Sequence, residues 1–125
     1  MTYLDTHVVA WLYGGKRAKL SVSARRRIDA EGDLRISPIV ELELEYMFEI
    51  GRARSGAQEV LTRLEVELGL QVCRLPFPQV VRAAGEERWT RDPFDRIIVA
   101  QAKANGAGLV TSDERILRNY GLAVW

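Results

Sequence analysis

Apolar positions along the chain fall into short clusters separated by longer stretches with helical spacing. Tyr3-Leu4 reads as the end of a short buried strand. Residues 6–13 then read as a helix that Gly14-Gly15 stops. Ser21 or Ser23 is placed to cap a second helix running to about Ala30, with Gly32 beyond it. Residues 34–37 are predicted as a strand. The spacing predicts a helix over 38–50, with Pro38 in its first turn and Gly51 just past its end. Val60, Leu61, Leu64 and Leu68 mark a helix over 56–68. A strand is expected over 70–75 and a helix over 78–89. Asp92-Pro93 opens a further helix reaching about Lys103. Leu109-Val110-Thr111 reads as a strand, 113–119 as a short helix, and Leu122-Ala123-Val124 as a last strand. Strands alternating with helices predict an α/β fold: one domain over 1–125, with a central parallel sheet and helices on both faces. Ligands of such sheets bind at the carboxyl ends of the strands, near a switch in strand order.

Several acids fall where strands hand over to helices. Asp5 follows the first strand, Asp113 follows Leu109-Val110-Thr111, and Asp92 and Asp95 stand at a helix start. Each has an ordinary alternative role, because Asp is a favoured N-cap and first-turn acids complement the helix dipole. Helix faces separate the two readings better. At about 100° per residue, Glu43 shares a stripe with Ile39, Val40, Met47 and Ile50, whereas Glu41, Glu45 and Glu49 lie on the opposite, solvated face. An ionised carboxylate on an apolar arc is costly unless it is paired or bound to a cation. Asp95 aligns in the same way with Ile98, Val99 and Ala102, and Gln101 is expected to point elsewhere.

Composition narrows the options. The chain has 125 residues, 47% of them hydrophobic and 28% charged, which suits a packed domain. Its longest apolar runs are far short of a membrane span. Met1-Thr2-Tyr3-Leu4-Asp5 lacks a basic start, so no signal peptide is expected. Cys73 has no second cysteine to pair with, and a cytoplasmic setting is the simple reading. Net charge is only +1, but Lys16, Arg17, Lys19, Arg25, Arg26 and Arg27 crowd one segment, and Arg52 and Arg54 follow a helix end. Such clusters either track a phosphate backbone or form a solvated face. Converging carboxylates repel one another unless a cation neutralises them, and oxygen donors suit Mg²⁺ or Mn²⁺. Zinc is poorly supplied by a single Cys73 and a single His7. No nucleophile elbow, Walker loop or dinucleotide fingerprint is present.

At these residues the chain resembles a known family. Tyr3-Leu4-Asp5-Thr6-His7, Ser37-Pro38-Ile39-Val40-Glu41-Leu42-Glu43 with Gly51-Arg52 after it, Asp92-Pro93-Phe94-Asp95-Arg96-Ile97-Ile98-Val99-Ala100 and Leu109-Val110-Thr111-Ser112-Asp113 occur in order. Together they look like the signature blocks of PIN-domain toxins of the VapC type. The resemblance implies a PIN-like fold and an endoribonuclease. Asp5, Glu43, Asp95 and Asp113 would hold Mg²⁺ or Mn²⁺, with Asp92, Thr6 and Thr111 as secondary site residues. Arg52, Arg96, Lys16 and Arg17 would position RNA. A VapB-like antitoxin and a second copy of the chain are the implied protein partners. Val60, Leu64, Leu68 or Trp11 are candidate contacts for either partner, with the core as their alternative place.

Other readings compete. A nuclease of RNA processing would use the same acids. A phospho-acceptor domain would want an acid pair after the first strand and a late lysine, but no Lys follows Lys103. A non-catalytic RNA- or protein-binding module leaves Glu43 and Asp95 without a reason.

Overall fold

A computed structural model describes residues 1–125. Five parallel strands form one sheet in the order β3-β2-β1-β4-β5: β1 (Thr2–Leu4), β2 (Leu34–Ile36), β3 (Gln71–Val72), β4 (Gly108–Val110) and β5 (Ala123–Val124). Every residue of β1 and β4 is buried, so both faces of the sheet centre are covered. The chain builds outward from β1 to β2 and β3, then returns past β1 to β4 and β5. The switch in strand order therefore lies between β1 and β4, where a parallel sheet leaves a crevice at its carboxyl edge.

The helices are α1 (Thr6–Tyr13), α2 (Val22–Ala30), α3 (Pro38–Glu49), α4 (Ala57–Leu68), α5 (Phe77–Ala84), α6 (Pro93–Ala104) and α7 (Glu114–Asn119). A single 3-10 turn, Arg17–Lys19, joins α1 to α2. The starts follow from local chemistry. Ser21 Oγ accepts from Ala24 N–H and caps α2, which decides between Ser21 and Ser23. Asp92 caps α6 ahead of Pro93. Gly69 ends α4 with φ +66, and Gly51 follows α3 with φ +78, both left-handed conformations that other residues rarely adopt.

The core gathers Leu4, Val8, Val9, Ile36, Val40, Leu64, Ile98, Leu109 and Ile116 from nearly every element. Val60 and Leu64 are buried there, which rules them out as free contact residues, and Leu68 packs against the same core. A small separate cluster, Val80, Ala84 and Ala100, fastens α5 to α6.

Five sequence expectations need correction. The strand expected over 70–75 is paired only at Gln71–Val72, because β3 is an edge strand and has one neighbour. The helix expected over 78–89 is Phe77–Ala84, and the chain after it folds inward. Glu87 is buried there and accepts from Trp89 Nε1 at 2.7 Å and Lys103 Nζ at 2.9 Å. Gln101 is fully buried and receives a 2.9 Å hydrogen bond from Ser37 Oγ, tying α6 to the start of α3. On α3, Leu44 is the buried neighbour of Glu43, while Ile50 is 45% exposed. Glu43 thus stands at the border of the apolar arc rather than at its centre. Glu45, on the face read as solvated, accepts from Ala57 N–H at 2.9 Å.

Candidate active site

Asp5 ends β1 and is 8% exposed. Both its oxygens are committed. Oδ1 accepts from Thr6 N–H at 2.7 Å, and Oδ2 accepts from the Thr111 hydroxyl at 2.6 Å. Thr111, just after β4, also accepts from Asp113 N–H at 3.0 Å. One hydroxyl therefore links the ends of the two central strands. Asp113 caps α7 through Oδ1, which takes both Arg115 N–H at 2.8 Å and Ile116 N–H at 3.1 Å. Asp92 caps α6 in the same one-oxygen manner, toward Phe94 and Asp95 N–H. Capping and membership of a site are compatible here, since Asp92 and Asp113 each keep one oxygen free of cap bonds. Asp95 is half-buried and accepts no hydrogen bond.

The electrostatics bind these groups into one neighbourhood. Burial pushes the Asp95 carboxyl up to about 7, helped by the charges of Asp92, Asp5, Asp113 and Glu43. Burial also raises Glu43; the nearby Thr6 side chain opposes this, Asp5 and Asp92 add to it, and His7 opposes it. Burial raises Asp5 above its ordinary value, although Thr111 and the Thr6 N–H pull it down. Thr6 Oγ1 is fully buried and makes no hydrogen bond of ordinary geometry. The two residues on helices, Glu43 and Asp95, thus lie within electrostatic reach of acids at the strand ends.

The donor set is all oxygen, which fits a hard divalent cation. No three acidic, His or Cys side chains stand close enough for a ready-made cage. A cation here would keep water in part of its shell, as Mg²⁺ commonly does.

The basic candidates are dispersed. Arg96 donates to the carbonyls of Ala84 and Gly85 at 3.1 and 3.2 Å, holding the end of α5. Arg17 pairs with Asp29 at 2.8 Å. Lys16 and Arg52 are exposed and make no ion pair. Arg27, from the early basic segment, donates to Thr2 Oγ1 at 2.8 Å and is structural. His7 stands exposed in the first turn of the helix that Asp5 caps.

The sequence profile of the PIN domain family matches residues 2–122. The chain belongs to the PIN domain family. Within it the VapC branch is indicated by ribonuclease VapC22 of Mycobacterium tuberculosis, 31% identical over 115 residues, which are 90% of this chain and 87% of that one. Two solved structures share the PIN fold. A toxin–antitoxin complex from Klebsiella pneumoniae superposes with a TM-score of 0.70 at 17% identity, covering 100% of this chain and 97% of that one. VapBC2 from Rickettsia felis, bound to a promoter DNA fragment, gives 0.68 at 20% identity over 100% and 98%. No helix of this PIN chain is long and apolar enough to cross a membrane.

Proposed function

We propose that this chain is a metal-dependent endoribonuclease and the toxin of a VapBC-type pair. The observation that carries the reading is the set of acids at the carboxyl edge of one sheet: Asp5 and Asp113 joined through Thr111, with Glu43, Asp92 and Asp95 in or beside the starts of α3 and α6. Such a concentration of negative charge opposes folding and repels RNA, so a cation is its natural complement. Asp5, Glu43, Asp95 and Asp113 would hold Mg²⁺ or Mn²⁺. When bound, that cation supplies charge for the scissile phosphate and its leaving oxygen, and Lewis acidity toward the attacking water.

The chain's own residues do the rest. Thr111 and the Thr6 N–H fix both oxygens of Asp5, so its carboxylate keeps one orientation. No hydrogen bond ties the Asp95 carboxylate, so an oxygen is free to take a proton from the attacking water. Exposed Lys16 and Arg52 offer positive charge for the RNA backbone beside the acidic cleft.

The toxin role has two supports. The 31% identical relative is a ribonuclease of the VapC series, and the structural neighbours are toxin–antitoxin complexes. Leu42, Tyr46, Phe48 and Ile50 of and just after α3 are also exposed, an apolar surface suited to a VapB-like antitoxin or a second copy of the chain. Purified protein, freed of any partner, should cleave a mixed RNA pool with Mg²⁺ or Mn²⁺ and not with EDTA. Asp5→Asn and Glu43→Gln should abolish cleavage while keeping the circular dichroism of the native fold. Undiminished cleavage by both variants would sink the assignment. Growth arrest on expression, relieved by an adjacent gene product, would separate a toxin from an RNA-processing enzyme.

A further inference from the structure

From the first turn of α1 runs a series of aromatic side chains that the cleavage chemistry leaves unused, flanked by Lys19 and by Lys16, already placed beside the RNA backbone. His7 and Trp11 lie one helical turn apart on α1, with ring centroids 6.0 Å apart. Trp11 lies 5.9 Å from Trp125, which follows β5 at the carboxyl edge of the sheet. Lys19 Nζ sits 5.7 Å from the Trp11 ring centroid, and exposed Lys16 stands at the start of the same turn. His7 is exposed. Trp11 and Trp125 are half-buried, packed on the core yet still open to solvent.

Packing explains only the inner sides of these rings. It does not explain why three rings and two lysines extend from the acidic cluster itself. The series begins there, because His7 lies in the first turn of the helix that Asp5 caps. Aromatic faces hold unpaired bases of any identity, and flanking cations hold the phosphates between them. The acids cannot hold the strand, since they repel phosphate.

We propose that His7, Trp11 and Trp125, flanked by Lys16 and Lys19, form a stacking platform that binds unpaired bases of single-stranded RNA next to the scissile phosphate. The rings already touch at these spacings, so a base lies over their open faces rather than between them. Duplex RNA, whose bases are stacked on one another, gains nothing from the platform. This inference rests on the nuclease reading for its substrate.

The test measures fluorescence anisotropy of labelled oligouridine, and of an abasic ribose-phosphate strand of equal length, in EDTA at low salt. Wild type is compared with Trp11→Leu, Trp11→Phe and His7→Ala, each first checked for a cooperative thermal melt. Trp11→Leu should bind oligouridine about tenfold more weakly, with Trp11→Phe close to wild type and His7→Ala in between. The abasic strand should bind all four alike. Equal loss on both strands would overturn the platform, as would oligouridine binding that ignores Trp11 or is absent altogether. Oligouridine that fails to bind while a partner protein protects Trp11 would assign the surface to protein instead. Trp11-dependent binding without any metal-dependent cleavage would remove the nuclease reading and keep the platform. Cleavage with Trp11-independent binding would do the reverse.

Discussion

Thr111 shows how much one hydroxyl carries. It donates to buried Asp5 and accepts from the backbone of Asp113, so it joins two site acids from different strands. Thr111→Val keeps the shape and removes the donor. Asp5 Oδ2 then loses its hydrogen-bond partner in a buried setting, which should cost about 1–3 kcal/mol of stability. The Asp5 carboxyl should also move further above its ordinary value, because a hydrogen bond that favours its charged form is gone. Denaturant melts and carboxyl NMR titration check the two effects. At this scale the sequence was legible by residue type and spacing but not by role. Asp92 and Asp113 could be read as cap or site; both are caps, and each caps through one oxygen, which leaves the other available. The helical stripe pointed to Glu43, which is half-buried at the border of the apolar arc. It could not tell that Leu44 would be the buried neighbour, since that depends on how α3 leans on the core.

Among elements, the helix starts were the clearest signal, because Ser21, Asp92 and Asp113 each make a short-range cap bond that sequence alone implies. The start of α4 is different. Its N-cap is Gly56, which has no side chain to cap with, and Glu45 reaches across from α3 to accept Ala57 N–H. No local pattern announces a cap borrowed from another helix, which is why Glu45 read as a surface residue. Glu45→Ala should destabilise the chain by about 1 kcal/mol, the usual cost of a lost cap. Hydrogen exchange should quicken in the first turn of α4 and stay unchanged in α7. Uniform exchange across the chain would contradict that role. The short β3 and early end of α5 were illegible for a similar reason. Edge pairing and the inward turn of Glu87 toward Trp89 and Lys103 depend on distant neighbours.

For the whole molecule, the crowded acids set a pH dependence. The Asp95 carboxyl rises from 3.8 to about 7 in the folded chain. Between those values the folded chain holds a proton that the unfolded chain has released, so metal-free stability falls as pH rises across that window. Asp5 and Glu43 are raised too and act in the same sense. Glu87 runs the other way. Burial would raise it, but Lys103 and Trp89 outweigh this and hold it low, so its contribution is lost only as pH falls through its lowered pKa. Asp95→Asn should therefore raise the metal-free melting temperature at pH 8 and flatten its decline between pH 5 and 7, as functional acids often oppose stability.

The most direct measurement is calorimetric titration of Mn²⁺ into wild type, Asp5→Asn and Asp95→Asn at pH 7, in two buffers of different ionisation enthalpy. A carboxyl with a pKa of about 7 is half protonated there, so binding to wild type should release roughly half a proton from Asp95. Both variants should bind far more weakly, and Asp95→Asn should lose that proton release. Equal Mn²⁺ affinity in all three proteins, or none in wild type, would contradict a cation site built from these carboxylates.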